Sequence, residues 1–317
     1  MAARVCFAFA AIAAASPLSW HVPRAIEYDL TTPVNATLPN ITTFGTGGTI
    51  ASQGTTSTQT VWYSVGLGIL DLVNAQVSNV GSDSINQTIL LELASKTNAE
   101  LAKDDVSGVV VTHGTDTLEE TAFFLDLVVN SSKPIVVAGA MRPATALSAD
   151  GPLNLFQAVV LATASNAQDR GTMITLNDRI GSAFYTTKNN ANSLDTFSST
   201  EAGQLGFFTN QVPYFYYAPA RPVGKPYSSL GNATGLPKVD VLYAHEDMDP
   251  ELATIAVAGG AEGIVFAGVG AGGVSSVAQT AAENLLNATG VPIVASHRSA
   301  DGFVPNDDTS FMVGSGF

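Results

Sequence analysis

Apolar runs of two different periods alternate along this chain, and that alternation constrains its fold more than any single residue does. Ile41 to Phe44, Gly108 to Thr112, Pro134 to Ala140 and Thr172 to Leu176 are short apolar runs of the kind that form buried strands. Between them, Leu90, Leu93, Ala94, Thr97 and Leu101 keep the i, i+3, i+4, i+7 spacing of one helix face. Leu118, Ala122, Leu125 and Val129 do the same in the next crossover. Asp150 to Ala164 is a third amphipathic segment, opened by Asp150-Gly151-Pro152, a cap followed by a proline at the helix start. Alternation of this kind predicts an α/β fold with a mostly parallel sheet and right-handed crossovers.

From Val212 to Pro237 the pattern dissolves into Pro, Tyr, Gly and Ser, the composition of a linker. A second series follows, with strands over Val239 to Tyr243, Ile264 to Gly268 and Pro292 to Ser296. Helices are expected at Pro250 to Ala258, with Asp249-Pro250 as N-cap and first-turn proline, and at Ser276 to Asn287. The expected organisation is a larger N-terminal domain over residues 40–212, a connection over 213–237 and a smaller α/β domain over 238–317. There is no internal repeat.

The first residues read as an export signal. Arg4 supplies a positive start, Val5 to Ala15 an apolar stretch, and Ala13-Ala14-Ala15 a small-residue cleavage site. Residues 1–15 are therefore expected to be a signal peptide and 16–39 a leader, with the mature chain secreted or held in the periplasm or cell-wall space. No later segment has the ~18 unbroken apolar residues that a membrane helix needs. The single cysteine, Cys6, lies inside the signal, so the mature chain has no disulfide, no cysteine nucleophile and no cysteine zinc site. Sequons at Asn35, Asn40, Asn86, Asn130, Asn232 and Asn287 fit a secreted glycoprotein. The net charge of −14 over 317 residues argues against nucleic acid and anionic membranes as partners.

In open parallel sheets, ligands bind beyond the carboxyl ends of strands where the winding direction switches. The polar turns after Phe44, Thr112 and Ala140 are the places to look for chemistry. Gly45-Thr46-Gly47-Gly48-Thr49-Ile50 offers exposed amides and two hydroxyls, although a plain glycine-rich turn has the same composition. It has neither the dinucleotide spacing nor the Lys-Ser/Thr ending of a phosphate loop. In Val111-Thr112-His113-Gly114-Thr115-Asp116-Thr117, Asp116 or Thr117 can cap the next helix, with Glu119 or Glu120 completing a capping box. The same turn can instead aim Thr115 and Asp116 into a cleft. His113, beside Thr and Asp, is either the histidine of a Ser-His-Asp analogue or, since it stands on the strand side of Gly114, a ring that faces elsewhere. Arg142, in Gly139-Ala140-Met141-Arg142-Pro143, is either a salt-bridge partner or a carboxylate binder. Lys188, after Tyr185-Thr186-Thr187, is either a solvated lysine or, if desolvated, a base. His245-Glu246-Asp247 lacks the spacing of a metal-binding helix, and no metal or cofactor is expected.

Taken in order, these segments resemble the bacterial-type L-asparaginase family, secreted fungal members included, from about Pro39 to Phe317. Gly-Thr-Gly-Gly-Thr-Ile-Ala at 45–51 and Thr-His-Gly-Thr-Asp-Thr at 112–117 are similar to its two signature motifs. Gly-Ala-Met-Arg-Pro at 139–143, Ser-Ala-Asp-Gly-Pro at 148–152, Leu-Asn-Asp-Arg-Ile at 176–180 and Leu-Pro-Lys-Val-Asp at 236–240 extend the match.

The resemblance implies hydrolysis of L-asparagine to L-aspartate and ammonia, with a lesser glutaminase activity. It makes Thr49 the nucleophile, assisted by Tyr63 in the following lid segment, and Thr115 a second essential threonine with Lys188 and Asp116 around it. It implies that backbone N–H groups near Thr115 meet the oxyanion and that the Ala140 carbonyl holds the leaving amide. Asp116 would take the substrate ammonium and Ser82 its carboxylate. Asp83 stands where many members carry glutamine, some glutamate, and would shift the preference between asparagine and glutamine. An acidic residue from a neighbouring subunit matches Asp308, or Asp307, and Gly273 stands where some relatives carry a polar side chain from that neighbour. The implied assembly is a homotetramer of close dimers with sites at subunit interfaces. Relatives continue for roughly one further helix beyond the region matching Phe311 to Phe317. The C-terminal domain is thus expected to be incomplete, with apolar sheet surface uncovered. The competing expectation, from the same feature, is a non-catalytic or destabilised relative that only binds amino acids.

Overall fold

The computed structural model describes residues 38–59, 64–65, 75–222, 225, 227–305 and 312–314. The expected signal peptide, nearly all of the leader, and Tyr63, Asp307 and Asp308 lie outside the described residues.

In chain order, β1 (Asn40–Gly47) is followed by a short antiparallel pair, β2 (Ser52–Gln53) and β3 (Ser64–Val65), and then by β4 (Ala75–Val80). Next come α1 (Gln87–Leu101), β5 (Val106–Thr112), α2 (Leu118–Val128), β6 (Ile135–Ala138) and α3 (Gly151–Thr163). β7 (Thr172–Leu176), β8 (Arg179–Ser182), β9 (Thr187–Lys188), β10 (Phe197–Ser198), β11 (Gly206–Thr209) and β12 (Val212–Phe215) complete the first half. The second half contains β13 (Val239–Tyr243), α4 (Leu252–Ala258), β14 (Gly263–Gly268), α5 (Ser276–Thr289), β15 (Ile293–His297) and β16 (Val313–Gly314).

The large sheet has the order β12-β11-β8-β7-β6-β5-β1-β4. β4, β1, β5, β6 and β7 are parallel, as the apolar alternation predicts. β8, β11 and β12 extend the sheet as antiparallel strands. This extension is not visible in the apolar pattern, because β8 and β11 carry glycine and polar residues on short hairpins. Val212–Phe215, expected in the connection, forms instead the edge strand of this sheet. Beyond it the chain stays attached to the first half. Arg170 lies 3.7 Å from the Phe215 ring centroid and donates to the Tyr217 carbonyl at 2.9 Å. Lys225 Nζ meets the buried Asp126 carboxylate at 2.6 Å.

Helices cover both faces of this sheet. Leu93, Ala94 and Leu101 of α1 and Leu118, Ala122 and Leu125 of α2 bury against Phe44, Val109, Val111 and Val137 on one face. Ala158, Leu161 and Ala162 of α3 bury against Val110, Val136 and Met173 on the other. Alternate residues of β5 and β6 thus feed two cores, and each fully buried Leu or Val contributes about 1.5–3 kcal/mol. Asn86 caps α1 by accepting from the Ile89 amide at 3.1 Å, as a short polar side chain before a helix should.

The second sheet, β13-β14-β15-β16, is wholly parallel. α4 and α5 both pack into the core with Ile264, Phe266 and Ile293, while Val239, Val241 and Tyr243 on alternate positions of β13 are exposed. Ser275 caps α5 by accepting from Ala278 N, and Gly290, at φ 73°, ends it in the left-handed conformation. α4 begins later than the Asp249-Pro250 signal suggests. Asp249 instead accepts from the Glu251 amide at 2.9 Å, a local turn that delays the helix to Leu252.

Candidate active site

The site follows from how β1 and β5 leave the sheet. They are neighbours, but the chain after β1 moves outward to β4, whereas the chain after β5 moves the other way to β6. Two adjacent strands with diverging exits leave a crevice at their carboxyl ends. Register brings their exits level. Gly45 lies opposite Thr112, and Thr112 opposite Ala138, so the turns after β1, β5 and β6 leave one edge side by side.

The first turn is held by backbone. Gly48, at φ 84°, donates to the Val80 carbonyl at 3.1 Å, and its own carbonyl accepts from Ser52 Oγ at 2.8 Å. Thr49 then opens a single 3-10 turn, Thr49–Ala51, with 8% of its surface exposed. A side chain at Gly48 would overlap the Cα and N of Gly114. Backbone-to-backbone contact at these two glycines places the Thr49 turn directly against the Thr115 turn, since each threonine follows its glycine in the chain.

On the second turn, Thr115 is 4% exposed. Its Oγ1 accepts a hydrogen bond from Lys188 Nζ at 3.1 Å, and the same ammonium lies 2.6 Å from Asp116 Oδ1. The Lys188 side chain is 13% exposed and that of Asp116 is 74% exposed, so the pair runs from a nearly dry end to a wet one. Lys188 is brought in by the β9–β10 hairpin, where it pairs with Phe197. The Asp116 amide donates to Ser82 Oγ at 3.2 Å, and Thr117 Oγ1 donates to the Ser82 carbonyl at 2.8 Å. Ser82 is thereby fixed beside Asp116. Asp83, next in the same 3-10 turn, is exposed and accepts from Ser84 Oγ at 3.3 Å.

The capping-box reading of this turn does not hold. Neither Asp116 nor Thr117 caps α2 with its side chain. Asp116 faces Lys188, Thr117 faces Ser82, and Glu119 accepts from Thr187 Oγ1 and the Lys188 amide. Contacts to distant chain segments outcompete the local cap because they satisfy charged and buried groups at once.

His113 lies in the core. It is fully buried, with Nδ1 2.8 Å from the Gly114 carbonyl and Nε2 2.9 Å from Thr121 Oγ1. Burial holds its pKa below the usual histidine value, favouring the neutral ring. Nδ1–H then donates to the carbonyl and Nε2 accepts from the hydroxyl, which stiffens the turn from behind.

On the third turn Ala140 is buried and packs with Ile50 and Ala51, the residues that follow Thr49. Asp150 holds this turn, although its sequence context marks it as a helix cap. Its carboxylate accepts from the Met141 and Arg142 amides, each at 2.9 Å, and makes no cap to α3. Asn154 adds a bond to the Gly139 carbonyl at 3.0 Å. Arg142 donates to the Ser148 carbonyl at 3.1 Å and also meets the Ser148 hydroxyl, so it braces the loop.

The structure therefore brings together Thr49, Ser82, Asp83, Thr115, Asp116, Ala140 and Lys188 at the carboxyl end of the sheet, while Tyr63 and Asp308 fall outside the described residues. Sequence reasoning missed the supporting roles of Asp150, Asn154 and Glu119. Each looks like an ordinary helix-start residue, and only contacts to distant turns reveal the role.

The arrangement gathers two buried threonines, one ammonium and one exposed carboxylate in adjoining turns. Comparison with known proteins points the same way. Residues 40–221 match the family described as Asparaginase, N-terminal, and residues 238–316 match the Glutaminase/Asparaginase C-terminal domain. L-asparaginase 2-3 of Saccharomyces cerevisiae is 52% identical over 301 residues, covering 89% of this chain and 83% of the relative. L-asparaginase 2 of Bacillus subtilis is 46% identical over 287 residues, covering 86% and 76%. Among solved structures, that of a probable cytoplasmic L-asparaginase from Campylobacter jejuni superposes with a TM-score of 0.78 at 36% identity, covering 86% of this chain and 87% of that one.

Proposed function

This chain belongs to the asparaginase family, and on that premise we propose that it hydrolyses the side-chain amide of L-asparagine to L-aspartate and ammonia through Thr49. The observation that carries the reading is the Lys188 ammonium shared between Thr115 Oγ1 at 3.1 Å and Asp116 Oδ1 at 2.6 Å, in the turn packed against Thr49.

An amide is a poor electrophile and a threonine hydroxyl a poor nucleophile at neutral pH, so attack requires a base and donors for the oxyanion. Thr49 Oγ1 forms a bond to the amide carbon as its proton passes to the base, a role the family resemblance gives to Tyr63. The oxyanion is met by backbone N–H groups near Thr115. Collapse breaks the C–N bond, the nitrogen takes up a proton, and ammonia leaves past the Ala140 carbonyl. Water then attacks the aspartyl ester: Lys188 passes a proton to Asp116 as it takes one from Thr115, Thr115 takes the water's, and on collapse a proton returns to Thr49 Oγ1, restoring its hydroxyl as aspartate departs. The exposed Asp116 carboxylate suits the substrate ammonium and Ser82 its carboxylate. Asp83 bears on the choice between asparagine and a lesser glutaminase activity.

The same reading includes export by the N-terminal apolar segment, with glycans on sequons such as Asn232, which lies on an exposed turn. It also includes a homotetramer in which the Asp308 region of a neighbour completes the site.

The decisive experiment is ammonia release from asparagine by wild type and Thr49→Ala. The expected loss is at least about 1000-fold in kcat, the scale for removing a nucleophile. Equal rates in the two proteins would discard Thr49 as the attacking group.

A further inference from the structure

We infer that Glu119 is a positioning residue that sets the Lys188 ammonium on Thr115; its consequence for turnover rests on the hydrolytic reading above. Glu119 follows the Thr115–Asp116 turn closely, on the first turn of α2, whereas Lys188 arrives 69 residues later on β9. One oxygen of Glu119 accepts from Thr187 Oγ1 at 3.2 Å and from the Lys188 amide at 3.3 Å. The backbone of β9 is thus tied to α2, and the Lys188 side chain reaches back from there to Thr115 and Asp116. The two attachments close a ring: the carboxylate grips the main chain, and the ammonium grips the turn just before it.

A lysine side chain has many rotamers, so an ammonium held only at its tip spends much of its time elsewhere. Fixing the main chain beneath it removes that freedom before substrate arrives, and small displacements of a catalytic group are costly. The second oxygen of Glu119 is buried and has no hydrogen-bond partner.

The test uses the whole protein with Glu119→Ala and Glu119→Gln, since glutamine keeps an acceptor oxygen for both donors. Two quantities are read: kcat and KM for asparagine, and the rate of reductive methylation of Lys188 followed by peptide mass spectrometry. The labelling requires no turnover. Glu119→Ala is expected to lower kcat about tenfold or more while KM moves by less than about twofold, and to raise Lys188 labelling several-fold. Glu119→Gln is expected to return both quantities toward wild type. Wild-type kcat and labelling in Glu119→Ala would overturn the role, as would a Gln variant no better than the Ala variant. A parallel rise at the buried Lys225 would report general loosening and would also overturn it. If wild type releases no ammonia, the hydrolytic reading fails, and the labelling alone decides whether Glu119 positions Lys188.

Discussion

Gly48 and Gly114 meet backbone against backbone, and that approach sets how near the Thr49 turn lies to the Thr115 turn. Gly48 sits at φ 84°, a conformation that side chains rarely adopt, and its missing side chain is the space that Gly114 occupies. Gly48→Ala is therefore expected to destabilise the fold by about 2–4 kcal/mol, from left-handed strain plus overpacking, and to abolish turnover. Gly114→Ala should be milder, because Gly114 does not sit at a positive φ and its new methyl would meet Ser82 Oγ at 2.8 Å and Ser82 Cβ at 2.9 Å, less closely than a Gly48 methyl would meet backbone. Urea midpoints of both variants check the order. A Gly48→Ala protein as stable as wild type would contradict the close approach.

Asp150 separates loop support from helix capping. It accepts from the Met141 and Arg142 amides and does not cap α3. Asp150→Ala strands two amides and should cost about 2–3 kcal/mol. Because these amides flank the Ala140 turn, kcat should also fall. Asp150→Ser, a good cap with a side chain too short to reach both amides, should recover little of either. Full recovery by serine would mean that capping is what the fold requires.

Lys188 is expected to contribute to turnover more than to stability. Its partner Asp116 is largely exposed, and an ion pair open to water is worth about 0–1 kcal/mol. Lys188→Met should leave the unfolding midpoint nearly unchanged while lowering kcat by about 100-fold or more. A variant that loses stability in proportion to its activity would make Lys188 a structural residue.

Buried His113 makes stability depend on pH in a defined direction. Burial lowers its pKa in the folded state, so below about 6.5, the ordinary value, the unfolded chain takes up a proton that the folded ring resists. Stability is then unaffected by this group above pH 6.5 and declines as pH falls below it, until the folded ring itself titrates. Urea unfolding at pH 7.5, 6.5 and 5.5 should show that decline in wild type and a smaller one in His113→Gln, which is also less stable throughout. An equal decline in both proteins would assign the pH dependence to carboxylates instead.

Much of the architecture is legible in the residues themselves. The strands and helices expected around Ile41–Phe44, Gly108–Thr112, Leu118–Val129 and Val239–Tyr243 lie where their apolar periods put them. A period of two or of 3.6 is a local property, set by which neighbours share a face, and it survives without knowledge of the rest of the chain. The β8, β11 and β12 strands escaped because their short, mixed segments have no such period. Only the folded chain puts the Gly48 turn on the Gly114 turn, turns Asp150 toward Met141, and carries Lys188 back to Thr115. The sequence by itself determined the alternation of elements and the polar turns at three strand ends, including both threonines. The tertiary structure decided which turns meet, because strand order and register bring together residues far apart in the chain, and no local pattern encodes that distance.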